Sequence, residues 1–366
     1  MNCFTIHPNV YTAGAHNGLV RLLEQVWVQG PRPGDGTFFI VSGFANYNGS
    51  VRFLETFRRH VQAGGRIVAV FAGSTGMNLT SRQVVTALLE NGSEVFVVNR
   101  KRILHAKMYG ASTQNGDDLV VTSGNFTGPG MALNVEASVW MGPPSTLGAG
   151  FRWDDAIQAL LGQPWDIYQP SLNDQTAPAW RLLYDEFGAE IRLDESEQST
   201  LIVTLGHSDT ARIQAAPGAK AGRGTQYFWL SRDSYGFFPP LTIRNTRGVK
   251  TTFSTTVNIR FVDLGVEQSC RVTFEAENNL DFRLGTAPLR YTRLASQGDL
   301  AVISRIGERE YELRIIRPDM PMYAELRAYA VNEIGHEGKR YGYIENVDLE
   351  QLLGIQLPRT LQPRTH

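Results

Sequence analysis

Two rhythms of apolar and polar positions divide the chain. In the first, the apolar runs TFFIVSG (37–43), RIVAVFAG (66–73) and SEVFVVN (93–99) are separated by VRFLETFRRHVQAGG and SRQVVTALLENG, where apolar residues return every three or four positions. Leu54, Phe57 and Val61 mark that spacing, and Gly64-Gly65 ends it. An uninterrupted apolar run suits a strand covered on both sides, and a period near 3.6 marks an amphipathic helix. Their alternation predicts a largely parallel sheet with helices on both faces. Further strands are predicted around 104–110, 118–123 and 134–141.

The second rhythm begins after Leu201. Short segments rich in Val, Ile, Thr, Tyr and Phe (LIVTLG, TQYFWLS, LTIRN, VNIRFVDL, RVTFEAE, DLAVISRI, YELRIIR) are separated by Gly, Pro, Asn and Asp. That texture predicts an all-β barrel or sandwich. Between the two, periodicity weakens and prolines stand at 164, 170 and 178. The expected organisation is an α/β domain over 1–165, a linker over 166–199 and an all-β domain over 200–366. No internal repeat or low-complexity tract is evident.

Composition adds little until it is resolved along the chain. The 366 residues are 42% hydrophobic and 19% charged, ordinary for a globular protein and long enough for two cores. Cys3 and Cys270 are too few for a zinc cage or disulfide framework and are read as free thiols. The N-terminal MNCFTIHPNV lacks the basic and apolar regions of a signal peptide, and no stretch suits a membrane span, so a bacterial cytoplasmic location is expected.

The formal net charge of -1 conceals two opposite blocks. Residues 212–260 hold Arg212, Lys220, Arg223, Arg232, Arg244, Arg247, Lys250 and Arg260 against the single acid Asp233. Residues 164–200 hold Asp166, Asp174, Asp185, Glu186, Glu190, Asp194, Glu195 and Glu197 against Arg181 and Arg192. The basic block, interleaved with Tyr227, Phe228, Trp229, Tyr235, Phe237 and Phe238, suits a DNA surface, although Trp229, Phe237 and Phe238 read individually as core rather than base-stacking residues. The acidic block prompts the expectation of a DNA mimic lying over a basic cleft formed by Lys107, Arg100, Lys101 and Arg102.

The candidate chemistry is concentrated in three short stretches. His105 and Lys107 alternate with Leu104, Ala106 and Met108 on a predicted strand, which turns imidazole and ammonium to one face. Ser123 and Asn125 follow in TSGNFT, and Glu136 in NVEAS. Phosphodiester cleavage without metal needs an uncharged nucleophile, cations and donors on the non-bridging oxygens, and an acid for the leaving oxygen. His105 fits the nucleophile, Lys107, Asn125 and Ser123 the oxygen clamp, and Glu136 an acceptor for the other ring N–H of His105.

These residues resemble the phospholipase D superfamily signature, a His-x-Lys followed by a Gly/Ser-x-Asn and a supporting acid. The signature's usual Asp, seven residues after the His, is replaced by Ser112, and Asp117 and Asp118 are out of register. The superfamily mechanism uses two histidines, whereas the chain holds one His-x-Lys. The resemblance therefore implies a homodimer with one shared site, joined through the N-terminal domain. Along nearly the whole chain, MNCFTIHPNVYTAG, NYNGSVRF, NRKRILHAK, TSGNFTGPGM, TLGHSDTARIQAAPG, TQYFWLSRDSYGFFPPLTIRN and RVTFEAENNLDFRLGT resemble the BfiI-like restriction endonucleases.

That resemblance implies a phospholipase-D-like nuclease domain, a DNA-recognition pseudobarrel similar to plant B3 domains, no cofactor or metal, and cleavage at a distance from an asymmetric sequence. It implies contacts to double-stranded DNA from Arg212, Trp229, Arg247, Arg271, Asn279 and Lys339, and a cognate methyltransferase acting on the same sequence without a stable complex. Three rival readings stand beside it. Pro318-Asp319 followed by Glu337-x-Lys339 matches loosely the pattern of metal-dependent nucleases. The same histidine signature serves phospholipid phosphodiesterases. A non-catalytic DNA-binding regulator would bind without nicking.

Overall fold

The computed structural model describes residues 2–7 (backbone only), 18–100, 103–164, 166–188, 198–248, 250–276, 281–334 and 338–358. The described residues up to 188 form one compact unit and those from 198 a second. No helix among them is long and apolar enough to cross a membrane.

The first unit contains β1 (Asn2–His7), α1 (Leu19–Leu23) continued by a π turn (Glu24–Gln29), β2 (Thr37–Ser42), α2 (Tyr47–Ser50), α3 (Leu54–Gln62), β3 (Arg66–Gly73), α4 (Arg82–Glu90) and β4 (Glu94–Asn99). It continues with β5 (Lys107–Thr113), β6 (Gly116–Thr122), β7 (Glu136–Met141), α5 (Pro143–Gly148), α6 (Trp153–Leu161), β8 (Asp166–Tyr168) and α7 (Pro178–Arg181). One eight-stranded sheet runs β1-β7-β6-β5-β2-β3-β4-β8. It is covered on both faces because its central strands are apolar on both. Phe39, Val41, Val68, Val70 and Val98 pack with Trp153 of α6, while Trp27, Phe53 and Phe57 gather around Phe38 and Tyr109 on the other side.

The sheet is mixed rather than largely parallel. Only β2, β3 and β4 run parallel; β5, β6, β7, β1 and β8 pair antiparallel. Parallel order follows the helical crossovers over α3 and α4. Beyond them, Gln114-Asn115 turns β5 directly into β6, with Gly116 at φ 109°, so the chain folds back as a hairpin.

Much of the acidic stretch expected as linker belongs to this unit. β8 pairs with β4 through Asp166↔Asn99. Asp185 accepts from Gln83 Nε2 at 2.5 Å, and Glu186 is buried, accepting from Tyr47 N at 2.7 Å at the start of α2. Those two acids are held at α4 and α2 instead of screening a cleft. Glu190, Asp194, Glu195, Glu197, Lys101 and Arg102 lie outside the described residues.

The second unit contains β9 (Ser199–Thr204), α8 (His207–Gln214), β10 (Tyr227–Leu230), β11 (Ile243–Arg247), β12 (Lys250–Phe261), β13 (Val266–Glu275), β14 (Phe282–Gly285), β15 (Leu300–Arg305), β16 (Glu310–Ile316), α9 (Tyr323–Tyr329), β17 (Asn332–Ile334), β18 (Lys339–Glu345) and α10 (Asn346–Leu353). Its sheet runs β10-β14-β13-β12-β16-β15-β9-β18-β17, with β11 added to β12. A side-chain bridge from Lys339 on β18 to the Trp229 carbonyl on β10 draws the two ends together, giving a nearly closed barrel. The interior is aromatic, with Phe237, Phe238, Phe274, Phe282, Tyr311 and Tyr343 in edge and offset contacts. Phe228, Tyr235, Phe237 and Phe238 of the basic block therefore face the core.

Candidate active site and DNA-binding face

In the first unit the candidate chemistry meets at the end of the sheet where β2 stops and β5 starts. Lys107 opens β5 opposite Ser42, and its side chain is buried. His105 lies just before the strand and is exposed. The backbone of His105 is pressed against Gly43: a Cβ there would lie 2.7 Å from the Leu104 carbonyl oxygen and 3.3 Å from His105 Cα. A side chain at position 43 would push the histidine out of place. Phe44 meets the imidazole edge-on at 6.2 Å.

Lys107 Nζ sits 3.0 Å from His105 Nδ1, 3.1 Å from Nε2 and 3.1 Å from the His105 carbonyl oxygen. The ammonium can donate to a ring nitrogen only where that nitrogen keeps its lone pair. Burial holds the Lys107 ammonium below the usual lysine range, and the Glu136 carboxylate opposes that fall.

The Ser-Gly-Asn turn leaves β6 beside this pair. Ser123 donates to Glu136 Oε2 and accepts from Ala137 N at 3.0 Å. Gly124 is fixed by its carbonyl, which accepts from the buried Tyr109 hydroxyl at 2.9 Å. Phe126 N donates to Ser42 Oγ at 3.0 Å, so the turn is tied to the strand carrying Gly43. Asn125 Oδ1 is buried with no hydrogen bond among the described residues. Glu136 is buried at the start of β7; its second oxygen accepts from Asn134 Nδ2 at 3.2 Å, a partner that sequence reasoning missed. The carboxylate thus serves Ser123 and Asn134, and its expected bond to the His105 ring is not made.

The superfamily's missing Asp falls at Ser112 near the far end of β5. Asp117 and Asp118 lie across that end, where Asp117 accepts from Trp153 N at 3.1 Å and Asp118 from Trp140 Nε1 at 2.9 Å. They hold tryptophans, not phosphate.

In the second unit, alternation along β10, β14 and β13 sends Phe228, Leu230, Phe282, Leu284, Val272 and Phe274 inward. Tyr227, Trp229, Arg271 and Arg283 share the outer face, with Trp229 directly opposite Arg283. Tyr227 and Trp229 meet edge-to-face at 5.1 Å. The Arg283 guanidinium lies 5.4 Å from the Tyr227 ring centroid and that of Arg212, from α8, 5.7 Å. Arg212 Nε also donates to the Arg223 carbonyl at 2.8 Å, and Arg271 Nε to Ser254 Oγ at 3.1 Å.

The end of α8 is itself pinned. Tyr291 N and Arg293 N donate to the carbonyls of Arg212 and Ile213 at 3.1 and 3.0 Å, with both donors left-handed at φ 64° and 61°. Such backbone costs about 1–3 kcal/mol per residue, so the surroundings must impose it. Tyr291 and Arg290 reach on to the Gly222 carbonyl, fixing the loop that holds Arg223.

Arg247 is exposed on β11 at the tip of the β11–β12 hairpin, opposite Lys250, whose ammonium pairs with Glu275 at 3.2 Å. Asn279 lies outside the described residues. Lys339 is not on the outer face. It is buried and ion-paired with the fully buried Asp209 at 2.6 Å. Asp209 also accepts from Gly206 N at 2.7 Å and Trp229 N at 2.8 Å, so one carboxylate joins α8, β10 and β18.

This arrangement separates the parts of the Pro-Asp/Glu-x-Lys pattern. Asp319 is exposed and paired with Arg317 at 3.4 Å, Lys339 is committed to Asp209, and Glu337 lies outside the described residues. Cys270 is buried, with its thiol pushed up to about 11 by desolvation.

Residues 193–356 match the family model described as the metal-independent restriction enzyme BfiI DNA binding domain. Among solved structures, the chain is similar to Nuc of Salmonella typhimurium, a phospholipase D family member (16% identity, 46% of this chain, 99% of that one, TM-score 0.33). It is also similar to NucT of Helicobacter pylori (13% identity, 44% of this chain, 96% of that one, TM-score 0.32). A third likeness is to phosphatidylserine synthase of Haemophilus influenzae (12% identity, 47% of this chain, 42% of that one, TM-score 0.30). No curated protein matches. The second unit is thus similar to the BfiI DNA binding domain over residues 193–356.

Proposed function

We propose that this BfiI-like chain is a metal-independent restriction endonuclease in which His105 opens DNA phosphodiesters. The observation that carries the reading is the imidazole of His105, exposed yet contacted by the buried Lys107 ammonium at 3.0 Å, with the Ser123–Glu136 pair alongside. A neutral ring nitrogen attacks phosphorus, forming an N–P bond as a P–O bond breaks. The Lys107 ammonium offsets the charge of the non-bridging oxygens, and Asn125 Nδ2 donates to one of them.

The leaving oxygen takes its proton from the partner subunit's His105, because a second His-x-Lys is missing from the sequence. Water then attacks the phosphohistidine, gives its proton to that second imidazole, and frees the enzyme. Val121 and Val139, 45% and 38% exposed and paired across β6 and β7, form an apolar rim near Ser123 that a second copy would cover in a homodimer.

In this reading the second unit is a B3-like barrel that selects an asymmetric DNA sequence through Arg212, Trp229, Arg247, Arg271 and Asn279, and cleavage falls outside that sequence. Lys339 acts there as a positioning residue, through Asp209 and the Trp229 backbone. The first unit is the nuclease and dimerisation domain, and a methyltransferase protects the same sequence in the host.

Plasmid DNA incubated with the full chain in excess EDTA tests the proposal. Fragments of fixed ends, preceded by a nicked intermediate, are expected, together with acid-labile, base-stable phosphate on His105 after rapid quenching. Cutting that needs added magnesium, or trapped phosphate on another residue, overturns it.

A further inference from the structure

Arg283 is not among the residues that the sequence resemblance assigns to DNA contact, yet it stands directly across the ladder from Trp229 on the outer face. Its guanidinium and that of Arg212 both lie within cation–π range of one tyrosine ring, Tyr227. Two like charges brought to one ring repel, and neither has an ion pair among the described residues. Arg271, another cation on this face, is likewise bonded only to a hydroxyl there. The Asp281 carboxylate lies close enough to feel the Arg283 charge without pairing with it, so the three guanidiniums of this face keep N–H donors for an anion or an electron-rich acceptor edge above it.

The way they are held narrows the class of ligand. A phosphate oxygen needs only positive charge, which a mobile lysine supplies. A guanidinium whose plane is set by an aromatic ring presents its N–H fork at a fixed angle, as bidentate recognition of a base edge requires. Preorganisation extends outward from Tyr227: its edge-to-face neighbour Trp229 is anchored at its amide by Asp209, and Arg212 is anchored by the Arg223 carbonyl and the left-handed Tyr291 and Arg293.

We propose that Arg283, oriented by Tyr227, is a sequence-reading residue that forks onto a guanine O6/N7 edge in the major groove. This rests on the DNA-binding reading above and adds to it a residue and a base class. Tyr227 acts as the positioning residue, its ring and not its hydroxyl being what matters.

The test uses full-length protein and two probes: a duplex selected from a random-sequence pool by the unaltered protein, and an unselected duplex of equal length. Arg283→Ala and Arg283→Lys are both expected to weaken binding to the selected duplex about 5- to 150-fold while leaving the unselected duplex nearly unchanged. Repeating the selection with Arg283→Ala is expected to relax one G·C position. Tyr227→Phe is expected to bind as the unaltered protein does, and Tyr227→Leu to lose selectivity. Thermal melting identifies any variant that fails to fold; should Arg283→Ala be one, Arg283→Lys, which keeps the stem and charge, decides between the outcomes.

Restoration by lysine, an equal loss on both probes, or an unchanged selected motif overturns the proposal. Failure of the unaltered protein to bind or select any duplex overturns the underlying DNA-binding reading instead.

Discussion

The two units hold their basic side chains for opposite purposes. In the first, Lys107 is buried beside a carboxylate it does not touch, its ammonium destabilised by desolvation and aimed at an exposed imidazole. In the second, Arg212, Arg271 and Arg283 lie on an aromatic and hydroxyl-bearing surface, fixed by a ring, a carbonyl and a serine. In the proposed reading, a phosphate is cut where the sequence supplies groups whose protons can move, and a base is read where it supplies charges that never titrate. Burial marks the difference: a lysine buried with an acid in the barrel, Lys339, belongs to neither purpose and ties strands together.

The comparison breaks most decisively at His105. His105→Ala is expected to lower the cleavage rate by a factor approaching about 10^6 while binding to a selected duplex is unchanged. Single-turnover cleavage and a gel-shift titration read the two; any residual cutting above about a thousandth of the original rate would move the nucleophile elsewhere.

The next largest effect falls on Lys339. Removing one member of a buried ion pair leaves the other uncompensated, so Lys339→Met is expected to cost the second unit about 3–5 kcal/mol in urea denaturation. A stable variant with weakened DNA binding would return Lys339 to the recognition face.

Glu186 sharpens the contrast through pH. Burial raises its carboxyl from 4.5 to about 7, so between those values the folded chain keeps a proton that the unfolded chain has lost. Stability is therefore expected to fall as pH rises across that window, by on the order of 3 kcal/mol, and to level off above it. Glu186→Gln should remove this contribution to the slope; denaturation midpoints from pH 4.5 to 7.5 decide.

The smallest effect tests a glycine. Gly43→Ala would place a methyl 2.7 Å from the Leu104 carbonyl oxygen, shifting His105 by a fraction of an ångström and slowing cleavage about ten- to a hundredfold. An unchanged rate would mean that the histidine's backbone position is not what orients it.

Local pattern carried a large part of this protein. The runs at 37–43, 66–73 and 93–99 are β2, β3 and β4, and the Val/Ile/Thr-rich segments after Leu201 form a barrel, because burial on one or two faces is written directly into residue order. His105, Lys107, Ser123, Asn125 and Glu136 could be singled out because each residue type has few other reasons to appear in that order. Strand direction was decided elsewhere: apolar runs do not encode it, and the short Gln114-Asn115 turn reversed the chain, making mixed a sheet expected to be largely parallel.

Partnership was also decided elsewhere. Sequence gives Lys339 a charge and Asp209 its opposite, but only folding places them 2.6 Å apart and out of water. Sequence leaves Arg283 unremarked, and only antiparallel register sets it beside Trp229 and over Tyr227. An acidic count suggested a free linker, whereas Glu186 found a backbone amide at the head of a helix. Residue order determines which groups are present and which face of their own element they occupy. What each of them touches far along the chain is a long-range property, fixed by tertiary packing alone.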